Sequence, residues 1–135
     1  MMLQPDEWLG SMLGKPAFSV PLNVDETNTD ELRQLLSDSQ TAGFYSCKVP
    51  PTAIAYIEVL MSHGFFLVDN NVQFERDAKP ILPSVDVRCR EAVAADEEAV
   101  RQVARRSLLY SRFHLDPHVD HAIAAELKAN WAGNF

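Results

Sequence analysis

Five stretches of this chain carry apolar residues at spacings of three and four, and short runs that alternate in steps of two lie between them. A helix with one apolar stripe and a strand with one apolar face each need a partner surface, so this alternation of periods points to a layered α/β arrangement. The spacing predicts a first helix over 6–13, with Leu9, Met12 and Leu13 on one side and Gly14 and Pro16 stopping it. A second runs near 30–42, capped by Asn28 or Thr29, striped by Leu32, Leu35 and Leu36, and closed by Gly43. A third takes Pro51 at its first position, carries Ile54, Ile57, Leu60 and Met61, and ends at His63-Gly64. Residues 17–22 fit a strand, and Pro21 argues for an edge position because proline donates nothing to a ladder. Residues 44–49 and 65–75 also read as strands, the latter bent or turned at Asp69-Asn70-Asn71.

Composition then shifts. Asp77 to Ser84 holds two prolines and few signals of regular structure, which makes it the best linker. It divides the chain into an N-terminal α/β domain, 1–80, and a second region, 86–135. In the second region Val85, Val87 and Cys89 alternate with charged residues as in a half-buried strand, and Asp96 can cap a helix carrying Val100, Val103, Ala104 and Leu108. A loop, Ser111-Arg112-Phe113-His114-Leu115-Asp116-Pro117, leads to a last helix from about Asp120 to Trp131, with Ile123, Leu127 and Trp131 four apart.

Charge narrows the function classes. The formal net charge is −7, with 11 acids and 5 bases in residues 1–85 and 8 acids and 7 bases in 86–135. Such a chain repels phosphate backbones, so no nucleic-acid partner is expected. Arg101, Arg105 and Arg106 form the only basic cluster, and pairing with Glu97 and Glu98 on a solvated helix face explains it better than a polyanion site. No apolar run approaches the roughly 18 residues of a membrane helix, and the N-terminus has acids and no basic leader, so no membrane association is expected and a cytoplasmic location is. Cys47 and Cys89 sit in strand-like stretches outside any CxxC and read as buried free thiols.

The run VDVRCREAV followed by ADEEAVRQVARRSL, the SRFHLDP loop, and Trp131, Asn134 and Phe135 at the end of the last helix together resemble the opening of a GNAT-superfamily N-acetyltransferase domain, in particular the TDP-fucosamine acetyltransferase-like subgroup. Upstream, YSCKVPPTAIAYIEVLMSHGFFLVDNNVQFE resembles that subgroup's N-terminal domain. The resemblance implies an α/β (α+β) chain in which residues 86–135 supply the first strand and first two helices of the acetyltransferase fold. It implies acetyl-CoA as cofactor of the full-length family member and an amine acceptor, such as an amino-sugar nucleotide. The family's cofactor cradle is a Gly-rich turn opening a helix, whereas glycines stand here at 10, 14, 43, 64 and 133 with no Gly-x-Gly. The cradle and the family's late tyrosine are therefore expected beyond residue 135. No catalytic residue carries over, and this stretch is expected to bind no cofactor and to be inactive alone.

The loop between the first two helices of that fold borders the acceptor, which makes Ser111, Arg112, Phe113 and His114 candidates to line an acceptor pocket. Arg112 can clamp a phosphate or carboxylate and Phe113 can pack on a ring face; the alternative is that Phe113 is core and Arg112 pairs with Asp116 or a helix end. His114, His118 and His121 with Asp116 and Asp120 are metal-type residues, yet Pro117 interrupts the helix between them and no further ligand lies nearby, so surface histidines are the reading. No nucleophile elbow is present. A different class of function stays open, a non-enzymatic interaction module that dimerises through an open sheet edge or through Trp131 and Phe135.

Overall fold

Two β-strands separated by a helix lie side by side and parallel in the first part of the chain. The computed structural model describes residues 2–75 and 90–134. Its architecture is mixed α/β, with six α-helices and one three-stranded sheet among the described residues. The chain divides into two units, Met1–Leu67 and Val68–Phe135.

In the first unit, β1 (Gln4–Pro5) pairs antiparallel with β2 (Ala17–Val20), and β2 pairs parallel with β3 (Phe44–Cys47). The sheet order is β1-β2-β3, so β2 is the middle strand. The edge position expected from Pro21 is therefore wrong. Pro21 lies past the last strand residue, at the centre of a tight turn in which the Leu22 N–H donates to the Val20 carbonyl at 2.9 Å. Proline escapes the ladder here by following the strand.

Helix α1 (Glu7–Leu13) starts at Asp6, whose carboxylate accepts from the Leu9 N–H at 2.9 Å, and ends at Gly14 in the left-handed region. Helix α2 (Thr29–Asp38) is capped by Asn28, whose side-chain oxygen accepts from Asp30 and Glu31 N–H groups at 3.0 and 2.9 Å. It stops at Ser39, short of Gly43. Gly43 serves a different purpose. A Cβ there would sit 2.6 Å from the Pro16 carbonyl oxygen, and the next residue, Phe44, donates its N–H to that same oxygen at 2.8 Å. The bare backbone is what lets β3 begin its pairing against β2.

Helix α3 (Ile54–Ser62) begins after Pro50-Pro51, not on it. The two prolines lie in a turn closed by the Ala53 N–H on the Pro50 carbonyl. The helix buries Val59 and Leu60 with Tyr56 beside them, while Ile54 and Met61 are exposed. The buried stripe is thus rotated from the expected one, and the reason is a polar anchor. The Tyr56 hydroxyl donates to the Thr27 and Val24 carbonyls at 2.6 and 3.2 Å, tying α3 to the loop that precedes α2. Val20, Leu32, Leu36, Val59 and Leu60 form the core of this unit. Residues 65–75 form no strand, so that expectation is overturned. Phe65 packs on the core, but Leu67 and Phe74 stand in solvent and no strand partner faces the segment among the described residues. Its alternating pattern has no second surface to bury against.

The expected linker, 77–84, and the strand carrying Val85, Val87 and Cys89 lie outside the described residues. The second unit continues with a 3₁₀ turn (Ala94–Asp96), α4 (Glu97–Ser107), the single turn α5 (Arg112–Leu115) and α6 (His121–Gly133). Asp96 sits at the start of α4 but does not cap it with its side chain. Its carboxylate accepts both Arg90 guanidinium N–H groups and the Val93 N–H, which hold it well below the usual carboxylate range. Helices α4 and α6 pack on each other, and Ala104 of α4 and Ala124, Leu127 and Ala129 of α6 are buried. Val103 is 63% exposed and Leu108 40%, so the apolar stripe expected on α4 is only half used. Among the described residues no helix is long and apolar enough to cross a membrane.

Leu32 is completely buried. Leu32→Ala is expected to cost about 2–5 kcal/mol in urea unfolding. Gly43→Ala is expected to cost about 1–3 kcal/mol by forcing the strand ends apart, and a mutant as stable as the parent would show that the Pro16 contact yields freely.

Candidate functional site

The α5–α6 corner is built by a short segment that turns twice. Ser111 precedes α5, and its hydroxyl bonds to His114 Nδ1 at 2.8 Å, closing the single helical turn on itself. Asp116 ends that turn. Its carboxylate is buried and accepts from the His118 N–H at 2.8 Å, an Asx-type turn that carries the chain past Pro117. Asp120 then caps α6 by accepting from the Ala122 N–H at 2.7 Å. Two aspartates spaced by four thus set the direction in which α6 leaves the corner.

The four candidate residues are placed differently from one another. Phe113 is 7% exposed, and of the two roles open to it core packing is the one its burial supports. Arg112 does not pair with Asp116. Its guanidinium lies over the Phe113 ring, 4.7 Å from the centroid. Lys128, from α6, places its ammonium 5.9 Å from the same ring and 5.6 Å from the ring of Trp131. Ser111 and His114 are bonded to one another on the same turn. Trp131 is 64% exposed at the end of this row, and Phe135 lies outside the described residues.

His114 has a polar debt. Its Nε2 is buried and has no hydrogen-bond partner among the described residues. Burial pushes the His114 imidazolium below the usual histidine range, and the positive charges of His121 and Lys128 push the same way. The His114 and His121 rings lie 6.3 Å apart. Among the described residues no group of three or more His, Cys, Asp or Glu side chains is placed to hold a metal ion.

The basic cluster pairs with Glu97 and Glu98 as expected, but Arg101 and Arg105 are half-buried toward α6 and not fully solvated, while Arg106 is exposed. Arg101 bonds Glu97 at 2.9 Å and also reaches Asn130 on α6. Arg105 bonds Glu98 at 3.2 Å and Glu126 on α6 at 2.6 Å, which holds the Glu126 carboxyl below its ordinary value. Cys47 is partly buried, and desolvation pushes its thiol up to about 11, so it stays protonated at neutral pH and is a poor nucleophile. Lys128 is the residue that sequence reasoning passed over. Its signal was its place three positions before Trp131, which on a helix puts the two side chains together.

With this geometry in view, the comparisons with known proteins add no constraint: no family model, no curated protein and no solved structure matches the chain.

His114 couples the corner to pH. Its pKa is lowered on folding, so the unfolded chain takes up the proton first as pH falls. Stability is fully present above the ordinary histidine value and declines as pH drops from there toward the depressed folded value. Thermal melts across the mildly acidic range should show a steeper loss for the parent than for His114→Gln, and parallel curves would remove His114 as the cause.

Proposed function

We propose that this chain is the N-terminal, acceptor-facing part of an acetyl-CoA-dependent N-acetyltransferase that acts on an amine, with an amino-sugar nucleotide as the leading acceptor class. The observation that carries it is the series α4, the SRFHLDP turn and α6, in which Arg112 and His114 stand at a corner between two packed helices. The family resemblance of those same residues supplies the chemistry.

The described residues do not fit coenzyme A. Gly14 and Gly64 are spent in left-handed backbone at helix ends, and Gly43 is spent on the close approach to Pro16. No two glycines stand one residue apart, so the described residues offer no Gly-x-Gly backbone to cradle a pyrophosphate. No step through the cofactor is derived from this chain. What its own residues offer is orientation of the acceptor: a guanidinium over the Phe113 ring, and Lys128 near the same ring.

A protein extended by the codons after Phe135 is expected to bind acetyl-CoA by isothermal calorimetry and to acetylate an amino-sugar nucleotide, while the 135-residue chain binds none. In the extended protein, Arg112→Ala should raise the acceptor KM more than it lowers kcat. Tight acetyl-CoA binding by the 135-residue chain, or a continuation that neither binds acetyl-CoA nor transfers acetyl, would defeat the proposal.

A second reading, a dimerising interaction module, has its own observation. The outer edge of β3 pairs with no strand among the described residues, and the same unit exposes Phe66 and Leu67. Light scattering over a hundredfold concentration range distinguishes it, a rise toward twice the 15.1 kDa chain mass being its expected outcome.

A further inference from the structure

The cations of the second unit fall into different circumstances. Arg90, Arg101 and Arg105 are each spent on a carboxylate. Arg112 and Lys128 form no ion pair among the described residues, and both lean on the Phe113 ring instead. The carboxylates of the same corner are already engaged: Asp116 on the His118 N–H, Asp120 on the Ala122 N–H, and Glu126 on Arg105. Asp116 and Asp120 keep their negative charge, but neither forms an ion pair with Arg112 or Lys128 among the described residues, so both cations keep their N–H groups unclaimed by a carboxylate. The buried, unpartnered Nε2 of His114 lies on the same turn as Arg112.

Such a set has a defined chemical use. A guanidinium over a ring face keeps N–H groups available for an acceptor, and an ammonium within 5.9 Å of the same ring centroid adds a mobile donor. Neither must first be released from a carboxylate, so an incoming anion displaces only water. We propose that Arg112 and Lys128 form a binding site for a compact oxyanion, the phosphate or carboxylate group of a small molecule, with Phe113 as the platform that holds the two cations in place. The site belongs to the 135-residue chain and does not depend on acetyl transfer, so the two proposals fail separately.

Trp131 offers the readout, because the Lys128 ammonium lies 5.6 Å from its ring and an anion that draws the ammonium away changes the ring's surroundings. The chain has two tryptophans, and Trp8→Phe leaves Trp131 as the sole emitter. Inorganic phosphate and acetate are titrated separately into the Trp8→Phe protein at fixed ionic strength. A saturable change in emission is expected for at least one of them, and the tighter of the two identifies the source of the oxyanion. Lys128→Met and Arg112→Met, made in the Trp8→Phe background, should each weaken binding by about fivefold or more. Arg106→Glu, on an exposed position of α4, should leave it within about twofold. Equal losses in the Arg106 and Lys128 variants would reduce the effect to general charge and overturn the site, as would a linear, non-saturating response to both anions. Lys128→Arg guards against a purely structural loss, since it keeps the charge and is expected to retain binding where Lys128→Met does not.

Discussion

The parallel pairing of Ala17–Val20 with Phe44–Cys47 is the constraint on which the first unit rests. Parallel strands cannot be joined by a tight turn, so the intervening chain must cross over one face, and α2 is that crossing. Once α2 lies on the sheet, Leu32 and Leu36 meet Val20, and α3 closes the same core with Val59 and Leu60. Phe18 and Tyr45, register partners on the two strands, stack at 5.1 Å and add an aromatic contact across the pairing. Everything here requires the two backbones to meet at Pro16 and Gly43, which is why a glycine stands where a helix stop was expected.

The second unit is held differently. Its helix pair is joined by alanines and a leucine in the middle and by charged groups at the side. Arg101 and Arg105 each bond within α4 and across to α6. Exposed ion pairs of this kind contribute about 0–1 kcal/mol apiece, so apolar burial around Leu127 and Phe113 carries most of the stability.

Five of the six helices were legible from apolar spacing, with the cap expected at Asn28 in place, whereas the single turn α5 was expected as part of a loop because four residues are too few to show a period. What failed was phase and punctuation. For α3 the spacing counted Ile54 and Met61 as core, whereas the Tyr56 hydroxyl bonds turned the helix so that Val59 and Leu60 faced inward. For α4 the pattern counted Val103 and Leu108, which stand exposed, while Arg101 and Arg105 lie on the side that bonds to α6. Pro21 and Gly43 were read for what each residue forbids or ends, but their roles came from neighbours distant in sequence. The strand expected at 65–75 had the right alternation and no surface to pair with. At the candidate site, the tie between Ser111 and His114 follows from their spacing, while the meeting of Lys128 with Phe113 needed the angle between α5 and α6, which no local pattern carries.

The cross-helix bonds of Arg101 and Arg105 have one further consequence. By locking the roll of α4 about its own axis, they present Val103 to the outside at a fixed azimuth. Whatever later covers that methyl-bearing ridge meets a surface whose orientation is already settled, and the entropy of choosing it has been surrendered before the encounter.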